Sequence, residues 1–444
     1  MPRLLIPTRR VIAAAVLALC ATLAAQAADQ TQIGQGNAAA IALAQRSPLV
    51  QSAMRDLIEQ AGRIRDRALR SATLDILQNP RTCAMHRRGL GSTEAQDAVV
   101  QALLDAGLVN RADSAAFAAG VRAAVFPPVL QAESSCPQLP QPLESAPGSA
   151  FGGHHSYPGG LPVHESNNDR SDINLARQYQ TSYGSTDRQG LPVVKGDGDA
   201  DDDHEHHRHA RKGGLPIDAD VIVAAPIWHD WAKTIVFQWN ADGSEFAEFN
   251  FGGNGTTDAW GAAGDSRTGG HHIMSVAEAM ARGLSPLMVI TQASAHSAPT
   301  LGNEYKVVNW LRAAAIIARL DPVKAGYLAL DASGKLRLPP LGQLGSTDLL
   351  AKGQSNLRVE YVLHNLSDAD YTYSGPAMAS AAVLLAQLAP EFGYDPADTA
   401  TFNTRLRNPA LSYLSGERLL VLYAGNGIDA VRQELKRLRQ RGVI

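Results

Sequence analysis

Cysteine is scarce in this chain: among 444 residues there are three, Cys20, Cys83 and Cys136. Cys20 falls in an amino-terminal segment expected to be removed, so two remain. That number excludes a disulfide-dense scaffold, and neither cysteine lies near the histidines that dominate the middle of the chain, which argues against thiolate ligation of a metal. Sequence cannot give the distance between Cys83 and Cys136, so one disulfide and two unpaired buried thiols both stay open. Charge of one sign is lacking too. The formal net charge is -3, and losing Arg3, Arg9 and Arg10 with the amino terminus would take it to -6 (-3 minus 3). Nothing in that balance favours a polyanion-binding surface, so nucleic acid is an unlikely partner. The glycine-rich stretch GGNGTTDAWGAAGDSRTGGHH has no P-loop pattern, and no G-x-S-x-G elbow marks a serine hydrolase.

Long apolar runs are confined to the start. Arg3, Arg9 and Arg10 precede an apolar run from Val11 to about Ala25 and the small-x-small stretch Ala25-Gln26-Ala27. This reads as a secretory signal over residues 1–27, cleaved near Ala27 or Ala28, and is too short for a span of roughly 20 apolar residues. Leu19 before Cys20 argues against a lipid anchor. The expectation is a periplasmic or secreted protein without a stable membrane anchor.

What is present is helix pattern and histidine. Residues 37–78 place apolar side chains three or four apart among Ala, Leu, Arg and Gln, which predicts amphipathic helices. A second helical block opens at Ser92-Thr93-Glu94, with Thr93 and Gln96 as a candidate capping box. Together these make an amino-terminal helical region over 28–126. Residues 127–153, dense in Pro, Ser and Gly, read as a linker or an extended covering segment. The stretch DADVIVAAPIWHDWAK is apolar nearly all round and belongs in a core. Asp242-Gly243 between alternating apolar residues predicts a small hairpin. Further helices are expected in IMSVAEAMARG, LSPLMVITQASAH and VVNWLRAAAIIARL, then in a carboxy-terminal extension over 341–444, where Ser374 ahead of Gly375-Pro376 is a candidate cap. The expected fold class is mainly α, with no parallel-sheet pattern.

Of 13 histidines, His86 and His364 lie apart, and His204, His206, His207 and His209 sit in KGDGDADDDHEHHRHARKGG (195–214). That acidic, His-rich insert has no anchoring apolar residue and is expected to be a mobile loop without a defined site. The rest gather: His154, His155, His164, His229, His271, His272 and His296. Any one alone is best read as a satisfied core residue. Several at the ends of separate core helices could converge on a metal ion.

The segments GGHHSYPGGLPVHES, DADVIVAAPIWHDWAK, TGGHHIMSVAEAMARGLSP and VITQASAH, in that order, resemble the HD-domain metal-dependent phosphohydrolases. The resemblance is closest to the branch with a His-x-Tyr-x-Gly-Gly-Leu segment before the first ligand histidine, and it covers roughly residues 150–325. It implies an HD-type helical bundle over 154–340 carrying one or two divalent ions of Mn, Fe, Co, Ni or Zn. It implies His164, the namesake pair His229-Asp230, His272 and His296 as ligands. The family's last ligand is an aspartate on a late helix; here Ala318 takes its place, so that either Asp321, the nearby carboxylate, serves after a small shift, a different carboxylate completes the shell, or the site is degenerate. Trp231 and Ala232 depart from the usual aliphatic residue and glycine. Lys233 matches the family lysine near the phosphate, and Asp230, Lys233 and His155 are the expected catalytic groups. The implied activity is hydrolysis of a phosphomonoester or phosphodiester in a small phosphorylated substrate, nucleotides among them. The alternative is a catalytically silent metal- or ligand-binding module, suggested by the aspartate missing at 318.

Overall fold

The computed structural model describes residues 34–81, 89–114, 120–132, 134, 136–186, 189, 191–193, 215–252, 266–300, 302–342 and 357–444. The expected signal segment, Cys20, Cys83 and the insert 195–214 lie outside them. Cys136 is disulfide-bonded.

The fold is mainly α. Five helices come first: α1 (Asn37–Arg46), α2 (Pro48–Arg63), α3 (Arg67–Gln78), α4 (Thr93–Asp105) and α5 (Gly120–Val125). Starts are set by side-chain caps: Ser47 accepts from Val50 N ahead of Pro48, and Asp66 accepts from Leu69 N. At α4 the cap is Ser92, not Thr93. The Ser92 backbone is extended, so Thr93 is already helical and the Ser92 hydroxyl accepts from Ala95 N, while Gln96 donates to Leu90 O. The next helices are α6 (Gly160–Gly184), α7 (Ala219–Trp228), α8 (Gly270–Ala281), α9 (Pro286–Ala293) and α10 (Glu304–Ala318). The chain closes with α11 (Val359–Ser367), α12 (Tyr371–Leu388), α13 (Asn408–Leu414) and α14 (Gly416–Gln440).

Strand is minor. β1 (Asn250–Phe251) pairs antiparallel with β2 (Thr268–Gly269), Asn250 opposite Gly269. β3 (Ala329–Leu330) pairs with β4 (Leu336–Arg337). The hairpin expected at Asp242-Gly243 is a tight turn closed by a single Trp239–Glu245 bridge; Gly243 supplies the positive φ of 79° that the turn requires. Among the described residues no helix is long and apolar enough to cross a membrane.

One apolar core runs from Met54 on α2 through Leu103, Val125, Trp228, Val276 and Leu311 to Tyr361 on α11. The amino-terminal helices therefore pack into the same core as the histidine-bearing ones. The Pro-rich stretch before α6 packs down as a covering segment: Leu139, Leu143 and Ala146 are buried, and Gln141 Nε2 donates to Phe237 O at 2.7 Å. A second core joins Tyr157 to α12, α13 and α14. Helix α12 begins at Tyr371 rather than at Ser374. The Ser374 hydroxyl does not cap; it donates to Glu417 at 2.8 Å and lies 2.9 Å from His155 Nε2.

Around the centre, α6 lies against α2, α7 and α11, and α7 also packs on α3 and α9. Trp228 Nε1 donates to Thr73 on α3, Gln292 on α9 donates to Trp228 O, and Ala232 N donates to Ser275 on α8. These buried bonds fix the end of α7, where His229-Asp230 stands, against three neighbours.

Candidate metal centre

His229 follows the last residue of α7, and its backbone N–H still bonds Ala225 O. Pro226 has no N–H, but its carbonyl accepts from His229 Nδ1 at 2.8 Å. That bond puts the ring proton on Nδ1 and leaves Nε2 as the lone-pair nitrogen facing inward. His164 reaches the same point from α6, whose start depends on two glycines. Gly159 has φ 84°, and a Cβ on Gly160 would sit 1.8 Å from His155 O. The Tyr-Pro-Gly-Gly turn thus admits the close approach that sets the first helical turn beneath His164.

Four donors converge. His164 Nε2 and His229 Nε2 each lie 3.2 Å from Asp230 Oδ2 and 3.2 Å from Asp368 Oδ1. An ion bound about 2.0–2.2 Å from imidazole nitrogens and carboxylate oxygens keeps neighbouring donors roughly 3.0–3.3 Å apart, so the spacing fits such an ion. On the other side of Asp230, Oδ1 is 3.1 Å from His271 Nε2. Asp230, His271 and His296 offer ligand atoms all within 4.8 Å of one another. Thr268 Oγ1 lies 2.7 Å from His296 Nδ1, which leaves Nε2 of His296 for the cluster. Asp230 is therefore shared, one oxygen to each set. His229 Nε2, His271 Nε2 and Asp230 Oδ1 are buried without an aligned hydrogen-bond partner, a costly arrangement for polar atoms that a cation would relieve. The imidazole and carboxylate donor set suits a divalent transition metal.

The electrostatics agree. Burial raises the Asp230 carboxyl, but His229, Lys233 and His271 outweigh it and hold the pKa well below the usual range. Burial pulls His229 down, and Asp230 and Asp368 outweigh it, leaving the pKa at about 10. The carboxylates call for positive charge at this point; in the ion-free chain a proton on His229 supplies it.

The sequence-expected residues fall out as follows. His164, His229, Asp230 and His296 come together. His272 does not join them. One position along α8 turns its ring about 100° from His271, so His272 stacks on His296 at 4.2 Å and meets Trp310 edge-on at 5.0 Å. Asp321 is corrected as well. It lies past the end of α10, where its Oδ1 accepts from Val323 N and Lys324 N and its side chain is 48% exposed. Asp368 occupies the place beside His164 and His229, and it comes from beyond residue 340, so the expected boundary there cuts through the site. Lys233 is buried, and its ammonium bonds both Asp230 and Gly148 O.

His155 stands behind the cluster. Its φ of 48° costs about 1–3 kcal/mol. That backbone turns its ring toward Asp370, whose Oδ2 it meets at 3.0 Å. Asp370 Oδ1 in turn lies 3.3 Å from His164 Nδ1. His154, not His155, lines the cleft. His154, His164 and Asp370 form a third group with metal-ligand spacing. A neutral imidazole has one lone pair, however, so His164 serves the central set through Nε2 while Asp370 Oδ1 faces its Nδ1.

Sequence reading assigns no role to Asp368, Asp370, Glu248 or His364, and it names His271 among the gathered histidines without making it a ligand. Glu248 accepts from both the backbone N and Nδ1 of His271, which aims Nε2 at Asp230. His364 packs edge-on to His229 at 5.0 Å. The usable signal was HNLSDAD, a histidine and two carboxylates at a helix end.

Against family models, curated proteins and solved structures, the chain finds no match.

Proposed function

We propose that this chain is an exported HD-type phosphohydrolase that holds a pair of divalent ions and hydrolyses phosphate esters. The observation that carries the reading is Asp230, whose two oxygens face two different histidine sets: His164 and His229 on one side, His271 and His296 on the other. Mn, Fe, Co, Ni and Zn all suit these donors. When bound, such a pair supplies Lewis acidity toward the phosphoryl oxygens and lowers the pKa of a water between the ions. In the net reaction water adds across a P–O bond, giving an alcohol and a phosphate or its monoester.

The protein's own groups do the positioning. Pro226 O and Glu248 hold the His229 and His271 rings, and Asp370 Oδ1 faces His164 Nδ1 at 3.3 Å. Lys233 keeps Asp230 from turning away. His154 lines the cleft, where its ring can contact a bound phosphate ester. Export rests on the amino-terminal Arg-apolar-small pattern. The alternative reading, a silent binding module, was motivated by Ala318. Asp368 beside His164 and His229 supports the hydrolase reading over it.

The test is to purify the chain without residues 1–27, measure metals by elemental analysis, and assay phosphomonoesters, phosphodiesters and nucleotides with added Mn. Two ions per chain and turnover abolished in Asp230→Ala support the enzyme. Stoichiometric metal with no turnover on any substrate returns the binding module, and no metal after reconstitution sinks both.

A further inference from the structure

The cleft over the candidate metal centre has a polar floor, and its walls set apolar side chains among polar ones that include Ser149 and Asn365. Its volume is about 390 Å³, enough for a single phosphoryl group with a small alcohol. The floor is His164, Asp230 and Asp368. On one wall Phe237 sets its ring 6.0 Å from His271. Tyr371 stands 6.2 Å from His154 and is 56% exposed. Leu366 lines the rim and is 46% exposed, and Ala150, Ala295 and Ala369 fill the spaces between. Large side chains this exposed beside a polar pocket mark a place where apolar ligand surface can be covered.

The charges at the cleft point the same way. Among the described residues Lys233 is the one lysine or arginine lining it, and its ammonium is already committed to Asp230 and Gly148 O. Glu248 adds a carboxylate, tied to His271. A nucleoside diphosphate or a nucleic-acid strand brings further phosphates, each needing a positive partner outside the metal pair. The described walls offer none.

We infer that the site takes phosphate esters of apolar alcohols, alkyl or aryl, with one phosphoryl group on the floor and the apolar portion against Leu366 and Tyr371. This rests on the hydrolase reading for its phosphate and goes beyond it in naming the alcohol. Hydrolysis places the water oxygen on phosphorus and releases the apolar alcohol with inorganic phosphate.

The experiment compares three primary-alcohol phosphates of like reactivity on the metal-loaded chain, hexyl phosphate, glycerol 3-phosphate and AMP, with ADP, a phosphoanhydride, as the probe for a second phosphate. Each buried methylene gives about fourfold, so kcat/KM for hexyl phosphate should exceed that for glycerol 3-phosphate at least tenfold. Leu366→Asn with Tyr371→Asn should bring the ratio close to one. Calorimetric titration with hexylphosphonate and 3-hydroxypropylphosphonate asks the same question without turnover. Hydrolysis with equal rates, or with ADP preferred, overturns the apolar assignment and leaves the hydrolase standing. A tenfold hexylphosphonate preference without hydrolysis of any ester leaves the apolar wall standing and sinks the hydrolase. Equal binding of the two phosphonates overturns the wall in either case.

Discussion

Asp230 and Asp368 face each other across two imidazoles, each presenting one oxygen 3.2 Å from both His164 Nε2 and His229 Nε2. The two carboxylates come from residues well separated along the chain, one at the end of α7 and one just past α11. Removing either takes away one of the two carboxylates that both rings share.

From that relationship, Asp368→Ala should lose the ion shared by His164 and His229 and lower turnover at least about a hundredfold, whereas Asp321→Ala should stay within about twofold of the parent. Asp321 is half exposed and bonds only the turn that follows it. Elemental analysis and steady-state rates on both variants check the assignment, and equal loss in the two would return Asp321 to the site.

The adjacent histidines of α8 should part in the same way. His271→Ala removes a donor 3.1 Å from Asp230 and should take bound metal from two ions per chain to one. His272→Ala removes only the ring stacked on His296. It should keep most of the metal while lowering the melting temperature, because a buried ring packed on Trp310 is lost. Identical metal contents would show that the register of α8 is misread.

Why the sequence showed one half of this cluster and not the other is a matter of distance along the chain. His164 and His229-Asp230 stand in segments with unusual local chemistry: a Gly-Gly turn before a helix and a polar pair at the end of an apolar one. Those features are local, and so was the helical texture. Asp368 and Asp370 sit in a short helical turn, with no glycine turn or apolar run beside them, and nothing local says that α11 folds back onto α6 and α7. The contrast between His271 and His272 is rotational. Both are buried in the first turn of α8; the helix register, set by long-range packing, decides which ring faces Asp230, and the contact of Glu248 with His271 Nδ1 holds it there.

Glu248 thereby becomes testable by itself. Glu248→Gln keeps the size but weakens the acceptor for His271 Nδ1, and such outer carboxylates are worth about 10- to 100-fold in metal affinity. Competition against a chromophoric chelator should show the second ion weakened by that factor and the first retained. Unchanged affinity for both would make Glu248 a packing residue.

Metal binding should tighten as pH rises. Burial draws His229 down, yet Asp230 and Asp368 hold its pKa at about 10, so at neutral pH the ion-free chain carries a proton there that an incoming ion must displace. Each pH unit from 6 to 8 should strengthen binding about tenfold per displaced proton. Chelator competition at pH 6, 7 and 8 reads the slope; a flat profile would mean that His229 is not a ligand.

Glu245 supplies a pH effect away from the metals. Its carboxyl is 8% exposed and neither oxygen has a hydrogen-bond partner. Burial lifts its pKa to about 8, with Arg407 opposing only in part. The folded chain therefore holds a proton that the unfolded chain has released once pH passes about 4.5. Between roughly pH 4.5 and 8 the native state binds more protons, so stability falls as pH rises and levels off above 8. Glu245→Gln imitates the protonated form at every pH. Its stability should match the parent's below about pH 4.5, pull ahead steadily to pH 8, and keep a constant lead beyond, on the order of 5 kcal/mol. Calorimetric scans across that range read the difference directly. A lead that is the same at pH 5 and pH 9 would show Glu245 ionised throughout, with Arg407 as its full partner.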